Sequence, residues 1–239
     1  MSDSYYIKQT PSTNALMWRM IRENDLPEGF TVLTDFQTAG KGQPGNSWES
    51  HAGKNLLFSM VLYPYHIKPD EQFLISQLVS VAIKKTLDKY STDITVKWPN
   101  DIYWKDKKIA GILIENSLQG KRIKNVVIGI GLNVNQTLFV SDAPNPVSLK
   151  QITRKSKIRT QILKNIRENI MDMYLNWDAN NIHFAYSKSL YRKEGFHPFK
   201  DDNGMFQATI KNVYPDGQLV LETETGERKG YYFKEVSFL

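Results

Sequence analysis

Three lysines and a run of glycines stand in this sequence where phosphate chemistry would use them. The segment Gly40-Lys41-Gly42-Gln43-Pro44-Gly45 carries one cation on a backbone whose N–H groups can converge on an anion. Its spacing, Gly40-x-Gly42-x-x-Gly45, is that of a dinucleotide fingerprint, which needs a strand running in, a helix opening at the last glycine and an acid about 20 residues on. Only the strand is present, at Thr31 to Gln37: Pro44, Gly45, Asn46 and Ser47 are loop residues, and no helical period precedes the apolar run at Leu56. A phosphate-binding P-loop fails as well, because Gly40-Lys41 is followed by Gly42 and not by Ser or Thr. What remains is a glycine-rich loop with one cation, ending in Trp48.

Two further segments put polar residues and glycines at strand ends. One is Val96-Lys97-Trp98-Pro99-Asn100-Asp101, with Lys108-Ile109-Ala110-Gly111 downstream; the other is Gly129-Ile130-Gly131-Leu132-Asn133-Val134-Asn135. Alone, the first is a tight corner, since proline lacks a donor and Asn and Asp satisfy backbone groups locally. The second, alone, is a bulge. Together Lys41, Lys97 and Lys108 would form a cationic cradle for a phosphate, and Trp48 a flat surface for an aromatic ring. That combination suggests a nucleotide.

The elements that must position these residues follow from periodicity. Tyr5 to Gln9 reads as a strand, and Leu16, Met17, Met20 and Ile21 as a helix face capped by Ser12 or Thr13. A strand at Asn55 to Tyr63 precedes a helix opening at Pro69-Asp70-Glu71, with Phe73, Leu74, Leu78, Ala82, Ile83 and Leu87 at helical spacing. Ile94 to Trp98, Ile109 to Leu118 and Arg122 to Asn135 read as strands, with a turn at Lys105-Asp106-Lys107-Lys108. After a loop at Ala143-Pro144-Asn145-Pro146 come two helices, one through Ile158, Ile162, Ile166, Ile170, Tyr174 and Trp177, the other over Phe184 to Tyr191. From Gly195, β-branched and aromatic runs alternate with turns at Asp202-Asn203-Gly204, Pro215-Asp216-Gly217 and Thr225-Gly226-Glu227, which fits a small barrel of about five strands. The expected architecture is α+β, a mixed β-sheet flanked by helices over residues 1–192, followed by a β-module over 193–239.

Composition narrows the chemistry. Without cysteine, the 239 residues hold no disulfide, thiolate zinc site or thiol nucleophile. His51, His66, His183 and His197 lack ligand spacing. The N-terminus has no basic-then-apolar signal and no run is long enough to span a bilayer, so a cytoplasmic protein without membrane contact is expected. Part of the +6 net charge falls in Lys150, Arg154, Lys155, Lys157, Arg159, Lys164 and Arg167, which read as a solvated helix face or as a docking surface for an acidic protein or nucleic acid.

Ser12-Thr13-Asn14, then Gln37 through Trp48, then Lys97 to Asp101 with Lys108 to Glu115, then Gly129 to Asn133 occur in an order that resembles the biotin protein ligases over nearly the whole chain. The resemblance implies a catalytic domain like that of class II aminoacyl-tRNA synthetases and a C-terminal SH3-like barrel. It implies that biotin is activated with ATP to biotinyl-5'-AMP, with Mg²⁺, and passed to a lysine of a biotin carboxyl carrier protein or domain. Ser12, Thr13, Asn14 and Gln37 would line the biotin pocket. Gly40, Lys41, Gly42 and Gln43 would fold over biotin and phosphate, with Gly111 and Gly129 alongside. Lys108 would contact the biotin carboxyl end and the phosphate. Lys97 and Asn100 would serve the nucleotide phosphates, and Asp101 these or the magnesium ion. Trp48 and Asn133 fall where the family contacts adenine. Lys97, Lys108 and Asp101 are the catalytic candidates; Asp101 would also assist deprotonation of the acceptor amine.

The loop from Gly40 to Gly53 would be mobile when empty and ordered over the adenylate. It departs from relatives that carry several arginines there, since Lys41 is its sole cation before Trp48. Lipoate ligases and octanoyl transferases share a related fold; the transferase chemistry needs a thiol that this chain lacks. Some biotin ligases double as repressors through an N-terminal reader domain, for which the 36 residues before Gln37 leave no room, so no specific DNA binding is expected. A monomer or weak homodimer is expected.

Overall fold

The computed structural model describes residues 3–140 and 145–239, so Ala143 and Pro144 of the expected loop lie outside the described residues. The first unit is a seven-stranded sheet in the order β1-β2-β3-β7-β6-β5-β4. Its strands are β1 (Ser4–Thr10), β2 (Thr31–Gln37), β3 (Leu56–Leu62), β4 (Ile94–Lys97), β5 (Asp101–Trp104), β6 (Lys107–Gln119) and β7 (Arg122–Leu132). Only β1 and β2 run parallel, joined by α1 (Thr13–Glu23); every other neighbour is antiparallel, so the sheet is mixed as expected.

All seven positions of β3, Leu-Leu-Phe-Ser-Met-Val-Leu, are buried because both faces of the sheet are covered. Phe58, Met60 and Leu62 meet the large core formed with α2 (Phe73–Leu87) and α4 (Arg159–Leu175). Val61, with Val32 and Val127, meets Leu16 and Met17 of α1 on the other face. The two-residue period then places Ser59 of β3 and Gly129 and Gly131 of β7 on the α1 face as well. The ladder pairs Ser59 with Gly129 and Leu57 with Gly131, and on the next strand Leu113 with Gly129 and Gly111 with Gly131. A patch without side chains is thereby built into the middle of the sheet.

Several boundaries differ from expectation. The run expected as one helix from Pro69 is a 3₁₀ turn at Pro69–Glu71 followed by α2. Asp101–Trp104, not anticipated as a strand, folds back on β4 to pair Lys97 with Asp101, and Lys108 belongs to β6, not to the turn. Strand β7 ends at Leu132 and α4 at Leu175, before Trp177. A short helix, α3 (Leu149–Thr153), was not foreseen, and α5 spans Ala179–Lys188 because Asp178 caps it by accepting from Asn181 N.

The second unit holds β8 (His197–Asp201), β9 (Gly204–Val213), β10 (Leu219–Thr223), β11 (Arg228–Tyr231) and β12 (Ser237–Phe238) in the order β11-β10-β9-β8-β12. The strand number is as expected. Closure is not: among the described residues no ladder joins β11 to β12, so the pairing is that of an open five-stranded sheet. Its Phe199, Ile210 and Leu221 are continuous with the large core of the first unit. Hydrogen bonds fasten the units, among them Trp98 Nε1 donating to Gly217 O at 3.0 Å and Phe73 N to Pro215 O at 3.0 Å.

Three residues of the basic run have carboxylate partners. Arg159 pairs with Asp35 at 2.8 Å and Arg167 with Asp3 at 3.1 Å, partners distant in sequence, while Lys164 lies 3.8 Å from Glu168. Among the described residues no helix is long and apolar enough to cross a membrane.

Candidate active site

A cleft of about 780 Å³ opens on the α1 face of the sheet, between the glycine loop and the second unit. Its floor is the side-chain-free patch. A Cβ on Gly131 would lie 2.4 Å from Trp48 Cε2 and one on Gly111 2.9 Å from Trp48 Cζ3, so the indole rests flat where only hydrogen atoms stand. The indole N–H is buried and without a protein acceptor. Such an orphaned donor inside a cleft invites an acceptor from a ligand.

One end of the cleft is a polar corner. Ser12 caps α1, accepting from Ala15 N at 3.5 Å, which frees the next two residues to face inward. Gln37 Oε1, at the end of β2, accepts from Thr13 N at 2.7 Å and from Thr13 Oγ1 at 3.0 Å. Ser59 Oγ lies 2.7 Å from Thr13 Oγ1 and donates to Asn14 Oδ1 at 2.6 Å. Asn14 Nδ2 in turn donates to Glu115 Oε2 at 2.8 Å, which also accepts from Trp18 Nε1 at 3.1 Å. Each amide and hydroxyl is therefore oriented by its neighbour, and the orientation is fixed before any ligand arrives. Gly129 makes room for this network, since a Cβ there would lie 2.3 Å from Asn14 Oδ1.

The other end is cationic. The β5–β6 ladder skips Ile109, pairing Ile102 with Ala110 and Tyr103 with Lys108. A bulge of this kind re-aims side chains, and it brings Lys108 to the cleft, with Nζ 2.7 Å from Asp101 Oδ1 and 5.8 Å from the Trp48 ring centroid. The Asp101 contact is close but off hydrogen-bond alignment. Asn100 Nδ2 donates to Ile112 O at 2.8 Å, which closes the corner. Lys97, at the end of β4, donates to Tyr103 OH at 3.2 Å, and burial pushes its ammonium below the usual lysine range.

The glycine loop is a small hairpin over this cleft. Lys41 bridges Ser47, Gly42 N donates to Asn46 O at 3.0 Å, and Trp48 N donates to Gly40 O at 2.9 Å. Gly45 supplies the left-handed residue at its tip, φ +92°. No helix follows it, which removes the dinucleotide reading of its glycines.

Of the residues singled out in the sequence, Ser12, Thr13, Asn14, Gln37, Lys41, Gly42, Gln43 and Trp48 line the cleft, as do Lys97, Asn100, Asp101, Lys108, Gly111 and Gly129. Two do not. Gly40 forms the neck of the hairpin, and Asn133 is buried behind the floor, where its Oδ1 accepts from Asn55 Nδ2 at 3.4 Å. Ser59 was missed, although a lone serine in an otherwise apolar strand is the signal that finds it. Also missed were Phe233, Val236 and Phe238, which wall the cleft from the second unit.

The sequence model of the biotin/lipoate A/B protein ligase family matches residues 6–133, which include the polar corner, the hairpin, the glycine floor and both cleft lysines of the sheet. The chain belongs to this family. Over 224 residues it is 30% identical to the bifunctional ligase/repressor BirA of Bacillus spizizenii, an alignment spanning 88% of this chain and 67% of that protein. The biotin protein ligase of Aquifex aeolicus, solved in complex with biotin and ATP, superposes with a TM-score of 0.80 at 22% identity over 100% of this chain and 99% of that one. That of Leishmania major, in complex with biotin, gives 0.69 at 20% identity over 98% of this chain and 100% of that one. At these identities the two structures establish the fold, and the second unit is part of what superposes. The family match ends at residue 133, so the cleft wall from Phe233 to Phe238 lies outside it.

Proposed function

We propose that this protein is an ATP-dependent biotin protein ligase, which forms biotinyl-5'-AMP with release of pyrophosphate and then transfers biotin to a lysine of a biotin carboxyl carrier protein or domain, releasing AMP. The observation that carries the reading is the continuity of the cleft: a corner of oriented amides and hydroxyls, a flat floor under Trp48 and a lysine-lined end belong to one cavity. An uncharged hydrogen-bonding head, an apolar body and an anionic tail would match these three parts.

In this reading Ser12, Thr13, Asn14 and Gln37 hold the ureido ring, and Gly111 and Gly129 give it depth. Biotin's carboxylate is ionised at neutral pH and attacks the α-phosphorus directly, so the site needs charge stabilisation rather than a base. Lys97, Lys108 and Asn100 supply it, and the hairpin with Lys41, Gly42 and Gln43 excludes water from the mixed anhydride. Lys108 stabilises the oxyanion when the acceptor amine attacks the anhydride carbonyl. Trp48 attends the adenine; Asn133 stands behind the floor and outside the cleft lining, so its part is to brace Asn55. Asp101 is the one carboxylate lining the cleft among the described residues, and no cluster of three metal-binding side chains occurs among them. That donor set suits a magnesium ion carried chiefly by the ATP phosphates, with Asp101 and Asn100 at its edge. Such an ion would neutralise charge on the departing pyrophosphate. The C-terminal sheet is taken as the family's SH3-like module.

Biotin, with ATP and magnesium, is expected to drive exchange of labelled pyrophosphate into ATP, and a carboxyl carrier domain then to gain one biotinyl group by mass spectrometry. Exchange driven by lipoate and not by biotin would replace this reading with lipoate ligation, which the shared fold leaves as the nearest rival. Lys41→Ala is expected to weaken retention of a non-hydrolysable adenylate by about ten- to hundredfold, the worth of one charged hydrogen bond, with little effect on biotin alone. Calorimetry with each ligand tests this; equal losses would contradict the assignment of Lys41 to the phosphate.

A further inference from the structure

Among the described residues no carboxylate lies within ion-pair distance of Lys97, and Asp101 is 2.7 Å from Lys108 Nζ. The Lys97 ammonium donates to the Tyr103 hydroxyl at 3.2 Å and is enclosed by aromatic rings drawn from three separate segments. The centroid of Tyr103 on β5 lies 4.8 Å from Nζ, that of Tyr191 just beyond α5 lies 5.8 Å away, and that of Phe238 on β12 lies 5.2 Å away. All three are within the range at which a ring quadrupole attracts a cation. Tyr191 is fixed by its hydroxyl, which donates to Asp106 Oδ1 at 2.6 Å. Phe238 is fixed by Phe199, whose ring centroid is 4.8 Å away and which is fully buried.

We infer that Phe238 of the second sheet is a positioning residue for Lys97, acting with Tyr191 and Tyr103 as a π-cage that holds the ammonium at the cleft without neutralising it. The inference rests on the ligase reading for the identity of the reaction, but the cage itself is a property of the free protein. A four-carbon stem ending in a point charge has many rotamers, and fixing them beforehand removes an entropic cost from phosphate binding. A carboxylate would fix them too, but would cancel the charge that the phosphate needs. Ring faces attract the cation and leave its charge intact. The arrangement also gives the second sheet a part in the chemistry: through Phe238 it sets the place of a lysine 141 positions earlier in the chain.

The test compares Phe238→Leu with Phe238→Tyr. Leucine keeps bulk without a π-face, and kcat/KM for ATP in biotin-dependent pyrophosphate exchange is expected to fall about tenfold while KM for biotin stays within about twofold. Phe238→Tyr is expected to stay near the parent. In a Lys97→Ala background Phe238→Leu should add no further loss. A second readout needs no turnover: the ε-methylene NMR signals of Lys97, identified by their loss in Lys97→Arg, should be shifted upfield by the rings in the parent protein. They should return toward ordinary lysine values in Phe238→Leu and, if that variant does not fold, in Tyr191→Leu. Unshifted signals in the parent overturn the cage. So does a Leu variant as active as the parent, a Tyr variant as impaired as the Leu variant, a full additional loss in the Lys97→Ala background, or a rise in KM for biotin matching the loss for ATP. Absence of biotin-dependent exchange in the parent would sink the ligase reading alone, and the NMR shifts would still decide the cage.

Discussion

Lys108→Ala is expected to reduce the rate of biotin-dependent pyrophosphate exchange by about 10²–10³, the loss that follows removal of one preorganised donor to a developing charge. Two effects add in the same direction. The variant loses the ammonium at the cleft's cationic end, and it leaves Asp101, until then 2.7 Å from Lys108 Nζ, as an uncompensated carboxylate facing the incoming phosphates. The second effect can be separated from the first. Asp101→Asn removes the carboxylate but keeps the lysine, and Lys108→Ala with Asp101→Asn removes both. If repulsion contributes, the double variant should be faster than Lys108→Ala alone. Lys108→Arg should not restore the parent rate, because a planar fork on a longer stem cannot occupy the point that the bulge at Ile109 assigns to a compact ammonium. A Lys108→Ala enzyme within about threefold of the parent would remove this residue from the reaction.

The sequence made most of this site readable because its parts lie at ends of elements, where residue type is dictated by local backbone chemistry. Ser12 as a cap, Gly45 at a hairpin tip and Asn100-Asp101 at a corner are each recognisable within a few residues. The structure then places these local features at the cleft: Ser12 caps α1 while Thr13 and Asn14 face inward, and the Trp98–Asn100 corner carries Lys97 and Asp101 on its two sides. What stayed hidden depends on contacts across the chain. Ser59 hides in a strand buried on both faces, where the two-residue period that would mark its side is drowned by apolar neighbours. Phe238 reads as an ordinary sheet residue until the second unit folds against Lys97. The ion pairs of Arg159 and Arg167 in the basic run were hidden for the same reason, since their partners Asp35 and Asp3 stand more than a hundred positions away. Strand β5 was overlooked because four residues between a corner and a turn carry too little pattern to show a period.

Gly129→Ala is expected to lower biotin affinity by about ten- to hundredfold while leaving the affinity for ATP within a few-fold, the worth of a lost polar contact at one end of the cleft. The backbone of Gly129 is not left-handed, so the effect comes from space alone: the added methyl would lie 2.3 Å from Asn14 Oδ1 and 3.0 Å from its Cγ. Asn14 has nowhere to go. Ser59 Oγ holds its carbonyl at 2.6 Å and Glu115 holds its amide at 2.8 Å, and the residue is buried at the start of α1. Overpacking of this kind costs about 1–3 kcal/mol of stability, so lost binding must be told apart from lost folding. Asn14→Ala in the Gly129→Ala background makes the room that the methyl needs. That double variant should regain melting temperature toward the parent and yet remain as weak for biotin, because the amide that orients the ligand is gone. Recovery of biotin affinity along with stability would mean that Asn14 only fills space, and the polar corner would then have to be reassigned to Thr13 and Gln37.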